Sequence, residues 1–241
     1  MMSMLGKNIV FGMGLLILQF SNSVSAQNYQ VDLALPDSEP VVGTTKTELV
    51  GSMGQDYAAI LNADSTISHQ IMSSDRAYNG FYRGLFACVS PDSKAYYPEG
   101  SGYLDSKSLS KTSWVAVTAA GKPVISDQNV LKDGLKVGLP YEPAALLPVV
   151  PQEGMNYEVA DNYLTNLKKV AAGRLDVAVL PLSSIDVFLD KDKSLQSAVS
   201  YDPDKPLAVV SDAIMCHDSE AGRAVLEKVN TAIQAAGIGS K

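Results

Sequence analysis

Cysteine is scarce in this chain of 241 residues: Cys88 and Cys216 are the only two. Neither belongs to a C-x-x-C pair, which excludes the common zinc-ribbon and thioredoxin-like sites. Histidine is as rare, with His69 and His217 alone. His217 adjoins Cys216, but neighbouring side chains on a strand point to opposite faces, so the two make a poor metal site. His69 stands in an alternating segment and reads as a surface or packed residue. There is no G-x-S-x-G, no H-E-x-x-H and no Cys/His nucleophile arrangement, so no catalytic motif points to an enzyme, and none to a cofactor. Basic residues are short as well: 19 Lys and Arg face 26 Asp and Glu, for a net charge of −7. An acidic chain without a basic stripe excludes nucleic acid and anionic membrane surfaces as natural partners. Its charge serves solubility instead. Long hydrophobic runs are also missing. The longest, Ile9 to Phe20, is about 12 residues, short of the ~20 that a spanning helix needs. No internal repeat, coiled coil or low-complexity tract is visible.

That short run nevertheless has a meaning. Lys7 precedes it as a positive n-region, and Ser21-Asn22-Ser23-Val24-Ser25-Ala26 follows with a small-x-small cleavage signature before Gln27. Residues 1–26 therefore read as a cleaved secretory signal peptide rather than an anchor, with the periplasm as destination. No cysteine follows the run, so a lipid-anchored form is not expected. The mature chain of about 215 residues suffices for one large domain or two small lobes. Losing Lys7 takes its net charge from −7 to about −8. In an oxidising compartment the Cys88 and Cys216 pair reads as a disulfide before a metal or redox site, with two buried thiols as the alternative.

The element pattern is α/β. Tyr29–Leu35 alternates as a strand and is followed by a loop through Pro40. Thr47–Leu61 has helical spacing, Thr66–Met72 alternates again, and Ser73-Ser74-Asp75 opens a helix running to about Gly84. Leu85–Val89 is a short apolar strand that Ser90-Pro91-Asp92 stops. From Ser93 to Lys111 there is no clear period. Trp114–Thr118 and Leu135–Leu139 are strands, and Asp161–Ala172 is a helix that ends at Gly173 and feeds the buried strand Asp176–Leu180. Leu207–Val210 returns to strand and continues toward Cys216. A last helix spans Ala221–Ala236, with Gly237 as its stop. Two α/β units and a late return predict two lobes joined by two crossings.

Three segments resemble one family. Leu131-Lys132-Asp133-Gly134-Leu135-Lys136-Val137-Gly138 is similar to the start of the second lobe in bacterial extracellular solute-binding proteins of the family 3, or polar amino-acid-binding, group. Leu167–Leu180, LKKVAAGRLDVAVL, resembles that group's helix-to-strand junction. Asp218–Gly237 resembles its C-terminal helix, where an Asn such as Asn230 and a terminal Gly recur. Over residues 29–123 the resemblance rests on element order. It implies a two-lobed type II periplasmic-binding-protein fold with a two-stranded hinge and an interlobe cleft. Lobe 1 would comprise residues 27–120 and 203–241, and lobe 2 residues 121–202. Such clefts close around a ligand by hinge motion. The topology would also lay Leu85–Val89 beside Leu207–Cys216, so that Cys88 and Cys216 face each other. Trp114 would pack near the first crossing. Asp176 would be structural, serving the lobe junction, while Arg76 and Arg83 would lie on a solvated helix face.

The departures from the family bear on the ligand. Its amino-acid binders clamp the ligand carboxylate with an arginine shortly after the third strand of lobe 1. Here Ser90–Tyr103 contains no arginine, and Lys94 is its only cation. The family's ammonium-binding acid falls where this chain has Pro181, followed by Leu182, Ser183 and Ser184. Its anion site at the first helix start of lobe 2 meets Pro140-Tyr141-Glu142-Pro143, poor in N–H donors and carrying a negative charge. A standard α-amino acid is therefore not the expected ligand. By position the cleft would be lined by Asp37, Ser38 and Glu39, then Ser90, Asp92, Lys94, Tyr96 and Tyr97, and opposite them Tyr141, Glu142, Ser183 and Ser184. Tyrosines offer stacking faces and hydroxyls, and acids hold cations. The plain alternative is that these are ordinary loop residues.

The resulting expectation is a monomeric, soluble periplasmic binding protein that captures a small polar molecule for an ABC-type transporter or sensor. A ligand-free accessory protein docking on another periplasmic protein is the alternative, since fold does not fix function. A dehydratase-like enzyme is a third possibility, with Glu39 or Glu142 as its only acid-base candidates.

Overall fold

The computed structural model describes residues 29–35, 43–44, 49–50, 53–160 and 162–239. The proposed signal peptide and the candidate site residues Asp37, Ser38 and Glu39 lie outside the described residues. The chain runs β1 (Tyr29–Leu35), β2 (Gly43–Thr44), β3 (Leu49–Val50), α1 (Gly54–Ala63), β4 (Ile67–Ser73), α2 (Ser74–Tyr82), β5 (Cys88–Asp92), β6 (Tyr103–Asp105) and β7 (Ser110–Ala119). It continues through β8 (Lys136–Leu139), β9 (Asn156–Val159), α3 (Tyr163–Ala171), β10 (Val177–Pro181), α4 (Leu182–Lys191), α5 (Lys193–Ala198), β11 (Val199–Ser200), β12 (Ala208–His217) and α6 (Glu220–Ala236). Three short 3-10 turns intervene, one of them Lys94–Tyr96.

One twisted sheet threads both lobes in the order β4-β1-β5-β12-β7-β10-β8-β9, with β6 added to β12 and β11 to β7. The βα units make β4, β1 and β5 mutually parallel, and likewise β8, β9 and β10. The two halves meet at β7 and β12, each ten residues long. Ala208–Asp212 of β12 pairs antiparallel with Ser110–Trp114 of β7. Beyond that overlap β7 goes on to pair with β10, and β12 with β5 and β6. These two strands are the two crossings between lobes.

Each lobe packs a core on both sheet faces. In lobe 1, α1 and α6 bury Tyr57, Ile60, Val225, Val229 and Ile233 against one face, while α2 buries Ala77 and Phe81 on the other. In lobe 2, α3, α4 and α5 bury Leu167, Val170, Ile185 and Leu195. Its opposite face is sealed by Leu131 of a 3-10 turn and by Leu146, Val149 and Val150 of irregular chain, together with Trp114. Each large apolar side chain so buried is worth about 1.5–3 kcal/mol.

The disulfide joins Cys88 to Cys216, direct partners in the antiparallel β5/β12 register. It fastens the returning strand into lobe 1 and spans no cleft. Asp176 has the structural role expected of it. Its carboxylate accepts the Lys136 amide at 2.8 Å and its own N–H donates to the Lys136 carbonyl at 3.0 Å, closing the start of β10 onto β8. Arg76 and Arg83 are exposed.

Two boundaries differ from the sequence reading. The first helix begins at Gly54 rather than Thr47, because Leu49–Val50 is a strand and its backbone presses on Gly54, where a Cβ would stand 3.0 Å from the Leu49 carbonyl. The third strand is Cys88–Asp92 rather than Leu85–Val89. Gly84 takes φ +69° and turns the chain off α2, leaving Leu85 exposed and Phe86 folded back over Gly80. Pairing then continues through Ser90-Pro91, so that Asp92 faces Ala213.

Candidate functional site

The C-terminal end of β5 supplies the centre of the site. Ser90 is fully buried and donates to the Ala213 carbonyl at 2.9 Å. With that proton committed, the Tyr57 hydroxyl, reaching in from α1, must be the donor to Ser90 Oγ. Two residues on, Asp92 is buried with its carboxylate inward. Tyr97 donates to its Oδ2 at 2.8 Å and the Ser93 amide to its Oδ1 at 2.7 Å. Burial pushes the Asp92 carboxyl up to about 7 against the pull of those two donors, with Asp105 and Asp212 adding to the rise. Tyr97, committed to Asp92, receives the hydroxyl of Tyr82 at 2.7 Å, so a relay runs from half-exposed Tyr82 through Tyr97 to Asp92.

Further tyrosines flank this end of β5 or lie within electrostatic range of those that do. Tyr78 of α2 donates to the Pro91 carbonyl at 2.6 Å. Tyr96, on the 3-10 turn, accepts the Trp114 indole N–H at 2.9 Å and so ties the turn to the hinge strand β7. Tyr141 comes from lobe 2, where its hydroxyl meets that of Tyr163 at 3.2 Å. It is close enough to Tyr78 and Tyr96 to bear on the ionisation of both. Burial raises the hydroxyls of Tyr78 and Tyr96 well above the usual tyrosine range, with Asp92 adding to both shifts, so both stay protonated.

Two more carboxylates border the hinge. Asp212, on β12, accepts the Ser110 and Thr112 hydroxyls of β7 at 2.7 and 2.8 Å. Asp105, on β6, accepts the Lys94 amide at 2.9 and 3.1 Å and the Ser93 hydroxyl at 3.2 Å. Burial holds both above the ordinary aspartate range.

The candidates read from sequence thus divide. Ser90, Asp92, Tyr96 and Tyr97 lie together on β5 and the turn behind it, and Tyr141 of lobe 2 is within electrostatic range of Tyr96. Lys94 is exposed and contributes its backbone N–H to Asp105. Glu142 is exposed and accepts the Tyr157 hydroxyl at 2.9 Å. Ser183 is exposed on the first turn of α4, whereas Ser184 is buried there. Tyr57, Tyr78, Tyr82, Asp105 and Asp212 are additions from the structure. Two signals could have found some of them: Tyr78 and Tyr82 stand four apart on α2, and Asp212, next to Ser211, interrupts the apolar run of the return strand.

No family model matches the chain, and no curated protein matches it. Solved structures do. The arginine-bound arginine-binding protein ArgBP of T. maritima superposes with a TM-score of 0.63 over 88% of this chain and 97% of its own, at 13% identity. The fold is that of a type II periplasmic binding protein. The arginine-, lysine-, histidine-binding protein ArtJ of Geobacillus stearothermophilus gives 0.59 over 88% and 91%, at 13% identity. The VFT2 domain of Bordetella pertussis BvgS gives 0.59 over 86% and 87%, at 14% identity. In this two-lobed fold, β7 and β12 form the hinge, and Asp92 and Tyr96 lie beside it on β5 and the 3-10 turn.

Proposed function

We propose that the chain is an exported solute-binding protein that captures a small polar molecule between its lobes and presents it to an ABC-type transporter or a sensor in the membrane. The observation that carries this reading is the buried polar cluster at the end of β5, where Asp92 is bonded to Tyr97 and Ser93 and Tyr78 to the Pro91 carbonyl, beside the two strands about which the lobes would move. The arginine held by the T. maritima protein of the same fold supports a ligand of that size. The N-terminal pattern of residues 1–26 supports export to the periplasm, with lobe boundaries near residues 120 and 203. The lack of arginine in Ser90–Tyr103 supports a ligand other than a standard α-amino acid, since no guanidinium there can grip an α-carboxylate.

The test is thermal unfolding of protein recovered from the periplasmic fraction against amino acids, polyamines, sugars, organic acids and quaternary amines. A ligand at ~100 times its dissociation constant adds about 2.7 kcal/mol of stability, which moves the midpoint visibly. A rise with one chemical class supports the reading. A rise with amino acids generally contradicts the clamp argument, and a flat panel with a stoichiometric protein partner favours the accessory reading.

A further inference from the structure

The 3-10 turn behind β5, Lys94–Tyr96, is fastened to two strands of lobe 1. Asp105 of β6 accepts the Lys94 N–H at 2.9 Å and the Ser93 hydroxyl at 3.2 Å. Tyr97, just past the turn, donates to Asp92 of β5 at 2.8 Å. Held at both ends, the turn moves as part of lobe 1. One of its side chains bonds elsewhere. The Tyr96 hydroxyl accepts the indole N–H of Trp114 at 2.9 Å, and the two rings meet edge-on with centroids 6.4 Å apart. Tyr96 also packs on the apolar cluster that Trp114 shares with Leu131, Leu139, Leu146 and Val179 of lobe 2.

Trp114 stands at the lobe 2 end of the overlap between the hinge strands. It pairs with Ala208 of β12 and with Pro181 of β10, so β7 there leaves β12 for lobe 2. At the lobe 1 end of the overlap, the register of β12 against β5 shifts between Ala213 and Met215. Side chains replace ladder bonds at that point: the Ser90 hydroxyl donates to the Ala213 carbonyl at 2.9 Å, and Ser106 Oγ accepts the Ile214 N–H at 3.0 Å. A shift of this kind interrupts pairing and lets a strand bend. The turn is anchored on the lobe 1 side of the shift and Trp114 stands beyond it. Ala208, opposite Trp114, lies about 17 Å up the strand from Ala213, so a bend of about 10° would carry Trp114 some ~3 Å away. Neither the hydrogen bond nor the ring contact survives such a displacement.

We infer that Tyr96 is a latch on the hinge: it ties the lobe 1 turn to Trp114 across the bend in β12, holds the lobes at one angle, and must let go before they rotate. Loss of the latch leaves each lobe folded and widens the range of angles between them. The inference rests on the two-lobed fold and on no ligand, so it stands or falls separately from the solute-binding role.

Distances between spin labels on the two lobes test this. The labels are placed through Arg76→Cys on α2 and Lys191→Cys on α4, both exposed, without reductant so that the Cys88–Cys216 bond stays closed. The labelled parent should give one narrow distance distribution. Tyr96→Phe keeps the ring and removes the acceptor of the indole N–H; it should move at least about a tenth of the molecules to a second distance. Tyr96→Ala removes the ring as well and should move about half or more. Tyr82→Phe, which cuts a hydroxyl bond within lobe 1, should leave the distribution as it is. Distributions in both Tyr96 variants that match the parent overturn the latch. Broadening by Tyr82→Phe as large as by Tyr96→Phe overturns it too. Should Tyr96→Ala fail to fold, Tyr96→Phe decides alone.

Discussion

Asp92 sits between two opposing influences, burial that favours its proton and two hydrogen-bond donors that favour its charge, and burial prevails. In the unfolded chain it releases its proton near the ordinary aspartate value of about 4. In the folded chain it holds the proton up to about 7. Between those limits the folded state binds more protons, so the contribution of Asp92 to stability is whole below about 4 and is lost as pH rises through about 7. Replacing it by Asn, which keeps an oxygen to accept from Tyr97, should flatten the pH dependence of unfolding across that window. Above pH 7 the variant should be at least as stable as the parent. Thermal melts at a series of pH values check this, and an unchanged slope contradicts it. None of this was readable from sequence beyond the candidacy of Asp92 itself. Its surroundings come from α1, α2, β6 and β12, segments up to 120 positions away in the chain (Asp212), and spacing rules see only neighbours.

At the scale of elements, local pattern served well where one strand or helix decides its own limits. α3 ends at Gly173, with φ +68°, and α6 ends at Gly237, with φ +66°, as the glycines predict. The pattern failed where an element's start depends on what packs on it. Thr47–Leu61 has helical spacing throughout, yet Leu49–Val50 is a strand whose contact with Gly54 sets the start of α1. Two tests belong here. Gly222, in the first turn of α6, lies so close to β12 that a Cβ would stand 2.0 Å from the His217 carbonyl oxygen and 3.2 Å from Cys216 Cβ. Backbone cannot yield as a side-chain tip does, so Gly222→Ala should cost about 1–3 kcal/mol in denaturant unfolding, and a neutral effect would contradict the docking of α6. The Cys88–Cys216 bond closes a loop across 128 positions. Replacing both by Ser should lower stability by about 2–5 kcal/mol. Because the bond lies within lobe 1, ligand affinity in the variant should stay within about twofold while it remains folded; a larger loss of affinity would tie the bond to the cleft.

For the molecule as a whole, the two long strands β7 and β12 are where any relative motion of the lobes is concentrated. Trp114, the single tryptophan of the chain, stands on that hinge, buried and bonded to Tyr96 of the cleft. Ligand-driven closure should therefore change its emission, and Trp114→Phe should abolish the signal; emission indifferent to a ligand that binds would argue against movement about β7. The two-lobed architecture itself was legible from the order of α/β units and the long return strand, whereas the partners of the cleft tyrosines were not, because Tyr57 and Tyr78 read as ordinary helix positions until the sheet brings β5 against them. The most direct measurement is native mass spectrometry of the protein as it comes from the periplasm, followed by unfolding and identification of what is released. One small polar molecule bound per chain, other than a standard α-amino acid, is the predicted result. An empty chain accompanied by a stoichiometric protein partner would contradict the account.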